Sequence, residues 1–294
     1  MRAWVLGSGV PTPSRTRASS GYVVEIDGDY LVFDHGFGAF QRLLELGVDL
    51  GDVSRLFFTH LHYDHMGDFA RLVLTRWDQN AGRIPDLEVY GPAPLARTAA
   101  RLFAEDGAFG PDVIARTQNQ TSLDLYRLRG GKGARARPAP VIREVRPGET
   151  ISGGDWRVSI AEVEHFRPQL TCYAYRIEHD GRSLVYSGDT GPCEALIGLA
   201  RGCDVLVHMC HHISGTEQSP EFAASCTGHR ELGEIARRAG VRTLVLSHIT
   251  GQIDRPGVRE RVIGEVARIF DGDIVLAHDL MELPIAGVAA SRLD

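Results

Sequence analysis

The 294-residue sequence predicts an α/β protein in four layers, αββα, with two mixed sheets face to face and helices on both outer surfaces. Three observations lead to this fold. Two successive β-rich halves are each followed by helices. No Pro/Gly/Ser-rich linker divides them. The densest cluster of chelating side chains directly follows an apolar strand, where a sheet edge would present it. A single domain over 1–294 is expected, with an irregular insert at 105–140.

In the first half, residues 1–7 form a strand entering the glycine turn Gly7-Ser8-Gly9. Residues 21–26 and 30–33 are strands flanking Asp27-Gly28-Asp29, a hairpin turn. Residues 37–46 have helical spacing, with Gly47 as the stop. Asp34 closes its strand, and as an N-cap it could simply begin that helix. After the apolar run Leu56-Phe57-Phe58, residues 68–77 read as a helix, 87–90 as a strand ending at Gly91-Pro92, and 94–104 as a helix. Between 105 and 140 glycines interrupt the apolar period, and only a short helix is expected. From Arg127 to Arg146 there are seven basic side chains and one acidic one. This is either a solvated loop or an anion or RNA patch, although no aromatic residues interleave to support base stacking.

The second half mirrors the first. Strand character resumes at Val145, Ile151 and 156–163. Residues 171–177 and 183–186 flank the Asp180-Gly181 turn, 194–199 form a short helix, and 204–207 a buried strand. A helix over 231–239 stops at Gly240. A strand over 242–246 runs to His248, a helix covers 259–270, and a last strand 274–277.

Composition narrows the function classes. With 43% hydrophobic and 24% charged residues the chain can bury a proper core. A net charge of -6 argues against a surface that attracts nucleic acid all over, while leaving room for a local basic patch. Five cysteines without a C-x-x-C pair suit reduced thiols in the cytoplasm. No stretch has the length and apolarity of a membrane span, and the N-terminus does not read as a secretory signal.

The chemistry centres on Thr59-His60-Leu61-His62-Tyr63-Asp64-His65-Met66-Gly67-Asp68. Residues two apart in an extended segment point the same way, so His60 and His62 can converge on one cation while Asp64 and His65 turn toward a neighbouring position. Zn²⁺ favours such nitrogen and carboxylate ligands at about 2.0–2.2 Å, and two cations about 3.5–4 Å apart make a hydrolytic pair. Further ligands must come from later strand ends. His165, Asp189 and His248 each follow an apolar strand, but polar residues are common there, so position alone leaves each of them open.

H-x-H-x-D-H after a hydrophobic strand resembles the signature of the metallo-β-lactamase superfamily. Leu6-Gly7-Ser8-Gly9-Val10-Pro11-Thr12-Pro13, Arg17-Ala18-Ser19-Ser20 and Phe33-Asp34-His35-Gly36-Phe37-Gly38 resemble the opening of its ribonuclease Z and arylsulfatase-like branch. The resemblance runs to about Leu283 and implies the αββα sandwich of that superfamily. It also implies that His60, His62 and His165 hold one metal, that Asp64, His65 and His248 hold the other, and that Asp189 bridges them. Asp34 would support the metal loop from behind. The cofactor implied is two zinc ions, with Mn²⁺ or Fe²⁺ as substitutes. A water shared by both metals would ionise near neutral pH and attack the substrate, Asp64 also orienting it. Many such relatives form homodimers.

Three departures from ribonuclease Z bear on the substrate. Its tRNA-binding arm lies between the third-histidine segment and the bridging aspartate, where this chain has only a hairpin between His165 and Asp189. Met209 stands in His208-Met209-Cys210 where that family has an acidic residue. Cys226-Thr227 stands where it has a histidine, with His229 a few residues late. That missing acid–histidine pair would deliver a proton, so His211, His212 and His229 become the catalytic candidates beside Asp64, with His208 as a further nearby imidazole. His35, where the family usually has a small residue, has no assigned role, and His278-Asp279 reads as structural. No G-x-S-x-G elbow supports a serine hydrolase, and a non-catalytic binding module would show broken ligands. The expected function is therefore a dinuclear zinc hydrolase of a small ester-like molecule (aryl sulfate, phosphodiester or lactone). The alternative is a tRNA 3′-processing endonuclease whose exosite is the basic 127–146 segment, with Arg129, Arg135 and Arg137 on the RNA.

Overall fold

The computed structural model describes residues 1–285, so the last nine residues of the expected 1–294 domain lie outside the described residues. The first sheet takes β1 (Arg2–Gly7), β2 (Gly21–Ile26), β3 (Asp29–His35), β4 (Val53–Phe57), β5 (Glu88–Gly91) and β6 (Val141–Glu144), in that order. The second takes β7 (Thr150–Gly153), β8 (Trp156–Val163), β9 (Cys172–His179), β10 (Arg182–Tyr186), β11 (Val205–Met209), β12 (Thr243–Ser247) and β13 (Asp273–Leu276). Each sheet begins as an antiparallel meander and continues with parallel strands, from β3 in one and from β10 in the other. The mirrored halves of the sequence are this repeated topology.

Period-two alternation builds the layers. Tyr22, Val24, Leu31, Phe33 and Phe57 point into the space between the sheets, where they meet Tyr175, Ile177, Leu184, Tyr186 and Val245. Val23, Val32, Leu56 and Val89 point outward onto α1 (Ala39–Glu45), α3 (Phe69–Asn80) and α4 (Leu95–Phe103). Val185, Leu206, Leu244 and Leu246 cover α7 (Glu194–Ala200), α9 (His229–Ala239) and α10 (Val258–Val266) on the far side. Phe33, Phe57 and Tyr90 stack on successive parallel strands at 4.8 Å between centroids. Tyr175 from the second sheet meets Phe57 edge-on and donates to the Phe58 carbonyl. The inner layer is thus locked by rings as well as by aliphatic side chains.

The insert is more ordered than the sequence reading expects. Residues 105–140 contain α5 (Gly110–Gln118) and α6 (Gln120–Leu128). Pro111 opens α5, and the Asn119 side chain accepts from the Thr121 and Ser122 amides to cap α6. The apolar period is weak because these helices bury little beyond Val113 and Tyr126. They are fastened by charge instead. Asp78 on α3 receives Arg116 at 3.0 Å, Arg129 at 2.8 Å and Arg135 at 2.5 Å. Arg135 is buried and lies 4.2 Å over the Trp77 ring, and Arg137 donates to the Phe103 carbonyl. Arg129, Arg135 and Arg137 are therefore engaged with the fold, whereas Arg127, Lys132, Arg143 and Arg146 of the basic segment are exposed. Two short helices complete the described residues: α2 (Tyr63–Met66) and α8 (Pro220–Ser225). Among the described residues no helix is long and apolar enough to cross a membrane.

Burial would raise the Asp78 carboxyl, but hydrogen bonds from Arg135 and Arg129 hold it below the usual carboxylate value. A depressed folded value contributes stability above the unfolded pKa of about 3.9, and that contribution fades as pH falls through the folded value. Replacing Asp78→Ala leaves buried Arg135 uncompensated, and a urea melt should show a loss of about 2–4 kcal/mol at pH 7. The same comparison at pH 3 should show a smaller difference.

Candidate metal centre

The predicted ligands all stand where a strand of the central layers ends. Asp34 and His35 close β3, the loop after β4 carries His60 and His62, and the single turn of α2 carries Asp64 and His65. His165 follows β8, Asp189 follows β10, and His248 follows β12. Ligand sites in open α/β sheets lie outside the carboxyl ends of strands, where loops replace side-chain packing. Two glycines allow the close approach. A Cβ on Gly36 would fall 1.9 Å from the Asp64 carbonyl. Gly188, at φ 57°, leaves room for Thr59 and the Tyr173 carbonyl. Asp34, Phe166 and His248 are non-glycine residues in the left-handed region, at φ 55°, 42° and 55°, a strain that persists only where surrounding contacts enforce it.

The side chains converge in two groups. His60, His62, His165 and Asp189 offer ligand atoms all within 4.8 Å of one another, and so do Asp64, His65 and His248. Asp189 joins the groups, because its Oδ2 lies 3.7 Å from His165 Nε2, 3.4 Å from His65 Nε2 and 3.2 Å from His248 Nε2. Asp64 Oδ2 lies 3.5 Å from both His65 Nε2 and His248 Nε2. Donors around a tetrahedral cation at 2.0–2.2 Å are about 3.3–3.6 Å apart, and this spacing fits. The orphaned atoms fit too. His65, His165 and His248 Nε2 and both Asp64 oxygens are buried without a hydrogen-bond partner, a costly arrangement unless they face a cation.

Charge gives the same answer. Burial pushes the His60 imidazole well below its ordinary range, and His62 and His165 are also lowered chiefly by burial, so their ring lone pairs are available at neutral pH. Burial would raise Asp189, yet His248 and His65 hold it well below the usual carboxylate range. Burial alone would lower His65, but Asp189 and Asp34 hold it well above its ordinary value. Buried carboxylates are thus gathered at a place that calls for positive charge.

The remaining ring nitrogens are anchored. His65 Nδ1 donates to Asp34 at 2.7 Å, His165 Nδ1 to the Ser225 carbonyl at 2.7 Å, and His60 Nδ1 meets Thr59 Oγ1 at 2.9 Å. Asp34 also accepts from the Thr59 amide and hydroxyl and from the Tyr186 hydroxyl. Its carboxylate therefore buttresses the metal loop and does not cap α1. It is Asp68 that accepts from the Gly38 and Phe40 amides at the start of that helix. Tyr186 and Thr59 were missed by sequence reasoning. Strand alternation from Leu184 places Tyr186 inward and was the available signal, whereas nothing local reveals Thr59.

The proton-donor candidates separate. His211 stacks on His248 with centroids 5.5 Å apart and Nδ1 atoms 3.4 Å apart, so it borders the ligand set. His212 bonds Glu217 at 3.1 Å and packs on Phe222 instead. His229 has both nitrogens committed, Nδ1 accepting from the Ser214 amide and Nε2 bonding Glu265, which leaves it no atom for proton delivery. His208 is buried, with Nδ1 on the Met209 carbonyl. His35 is fully buried against Phe40, and burial pushes its imidazole down to about 3. Asp279 is structural, accepting from Ser8, Ala18 and Arg42.

A sandwich of this topology with such a ligand cluster defines a class, and sequence comparison gives the same one. A family model described as a beta-lactamase superfamily domain matches residues 29–249. The chain belongs to that superfamily and is a hydrolase of the metallo-β-lactamase kind, and its His/Asp cluster suggests divalent-metal binding. More particularly, it is similar to the ribonuclease Z of Mycolicibacterium gilvum (strain PYR-GCK), at 31% identity over 294 residues and 97% of each chain. The metallo-beta-lactamase fold protein YhfI from Bacillus subtilis shares the fold at a TM-score of 0.72 and 20% identity, over 96% of this chain and 98% of that one. Human tRNase Z, short form, does so at 0.67 and 18%, over 97% and 99%.

Removing the anchor of His65 should loosen whatever the site holds. Asp34→Asn presents an amide group where the carboxylate accepted hydrogen bonds, and zinc affinity should fall 10- to 100-fold, read by competition with a chromogenic chelator. An unchanged affinity would remove Asp34 from the support of the site.

Proposed function

We propose that the protein is a dinuclear metal-dependent phosphodiesterase of ribonuclease Z type, acting on the 3′ extension of a tRNA precursor. The observation that carries the chemistry is Asp189, whose Oδ2 lies 3.2–3.7 Å from imidazoles of both groups of candidate ligands. Sequence reasoning ranked a small ester first because the arm between His165 and Asp189 is absent and because Met209 and Cys226-Thr227 replace the family's acid–histidine pair. The ribonuclease Z relative reverses that order, since it aligns over 97% of its own length with 97% of this chain. A protein of comparable length carries the ribonuclease name, so a short chain is no argument against RNA. The nucleic-acid partner and a cytoplasmic location both belong to this reading.

His60, His62, His165 and Asp189 would hold one cation, and Asp64, His65, His248 and Asp189 the other. The ligand chemistry suits Zn²⁺, with Mn²⁺ or Fe²⁺ as substitutes. Two cations held there would supply Lewis acidity, lowering the pKa of a bound water toward about 7 and drawing charge from a phosphoryl oxygen. The protein side chains do the rest. His248 and His65 hold the Asp64 carboxylate below the usual range despite its burial, and of its two unpartnered oxygens one would hold the cation while the other orients a water. Asp34 and Ser225 fix the imidazoles of His65 and His165 so that their Nε2 atoms stay aimed inward. His211 is the proton-donor candidate that the geometry favours for the leaving oxygen.

A second reading, a small phosphodiester, is favoured by one observation. Between His165 and Asp189 the chain makes only β9 and β10, with no protruding element to grip an RNA body. Within the basic 127–146 segment, Arg129 and Arg135 are bound to Asp78 and so are not free for RNA.

Zinc-loaded protein should release the trailer of a 3′-extended tRNA precursor, and Asp64→Ala should lower kcat at least 100-fold. Cleavage of a chromogenic phosphodiester without cleavage of the precursor would move the assignment to the second reading. Metal analysis provides an independent check. The native chain should bind about two equivalents of zinc, and His248→Ala about one; a single equivalent in the native chain would contradict the dinuclear site.

A further inference from the structure

We propose that Phe37 and Tyr63 form a stacking platform for the nucleobase next to the scissile phosphodiester, an inference that rests on the phosphodiesterase reading above. Single exposed apolar side chains need no explanation. These two do, because both flank the ligand set and sit together. Phe37 is 52% exposed and Tyr63 58%, with ring centroids 6.0 Å apart. Phe37 lies on the loop after Asp34 and His35, and Tyr63 stands between His62 and Asp64.

The backbones that carry both rings are held in place. The Ser19 amide donates to the Phe37 carbonyl, and Asp68 fixes the next backbone amide. Gly67 leaves room for the Phe37 ring, which a Cβ there would approach to 2.7 Å. Tyr63 begins α2, so its backbone moves only with Asp64 and His65. The rings border a groove of about 600 Å³ whose other walls include Pro11, Pro13, Arg15 and Gln41. That volume falls in the range of small-molecule sites. Arg15 is exposed and makes no ion pair among the described residues, which leaves its guanidinium available to a phosphate.

This combination selects the occupant. Exposed rings tilted by 51° can take a flat π-system against one of them, and an arginine lining the same groove can take a phosphate, so the group that uses both is a base of single-stranded RNA. An acyl chain would have no use for Arg15. Phe166, the neighbour of His165, is also 45% exposed, with its ring 5.8 Å from the His62 imidazole.

Binding without turnover tests the platform. On an Asp64→Ala background, fluorescence anisotropy compares a short oligoribonucleotide with one that is abasic beside the scissile bond. Stacking of one base predicts about tenfold tighter binding of the base-bearing strand. That preference should fall to about one in Phe37→Ala/Tyr63→Ala, persist in Tyr63→Phe, and persist in Leu128→Ala, an exposed position away from the groove. A preference that survives the double alanine variant, or that is missing with Phe37 and Tyr63 intact, overturns the platform. If the double variant instead loses selectivity only for nitrophenyl phosphodiesters, the rings serve an aryl leaving group and the nucleobase assignment is wrong. Because this readout needs no cleavage, it is separate from the precursor assay, whose failure would count against the phosphodiesterase reading itself.

Discussion

A carboxylate can sit dry between two β-sheets only if its lone pairs are used, and Asp34 meets that condition with partners just past β4, at the end of β10 and on α2. It accepts from the Thr59 amide and hydroxyl and from the Tyr186 hydroxyl, and it holds His65 Nδ1 at 2.7 Å. Tyr186 belongs to the second sheet and Asp34 to the first, so one side chain couples the closure of the sandwich to the aim of a metal-facing imidazole. The core and the candidate centre are therefore not independent structures. Loss of this carboxylate would leave buried donors without acceptors and a histidine without a fixed tautomer.

The repeated topology explains why the other ligands lie where they do. Each half supplies a meander that closes one side of the inner layer and parallel strands whose carboxyl ends open at the same rim. The first half gives a compact run of ligands after β4. The second gives one from each of three separate strand ends. Asp189 then draws the two contributions together, because its Oδ2 is within 3.7 Å of imidazoles from both halves.

The insert shows how a sequence pattern can mislead in both directions. Weak apolar periodicity at 105–140 hid two helices whose stops and starts, Pro111 and Asn119, were written in ordinary capping chemistry. The excess of arginine after Arg127 suggested a charged exterior, but an acid from far back in the chain, Asp78, gathers three of the fold's arginines around itself. Charge counts along a sequence cannot see a counter-ion that lies some fifty residues away.

What the sequence determined by itself was the fold and the identity of the seven converging ligand candidates. Strand alternation and turn residues are local properties, and the spacing of His60, His62, Asp64 and His65 is fixed within a single loop. Long-range placement belonged to the tertiary structure. It separated His211, which lies against His248, from His212 and His229, which bond Glu217 and Glu265. It decided between the two roles open to Asp34, support of the loop and helix cap, in favour of the first, and it brought Phe37 and Tyr63 together on one groove. In each case the deciding contact joins residues far apart along the chain or a side chain whose direction depends on packing, and neither is encoded in the pattern of its neighbours.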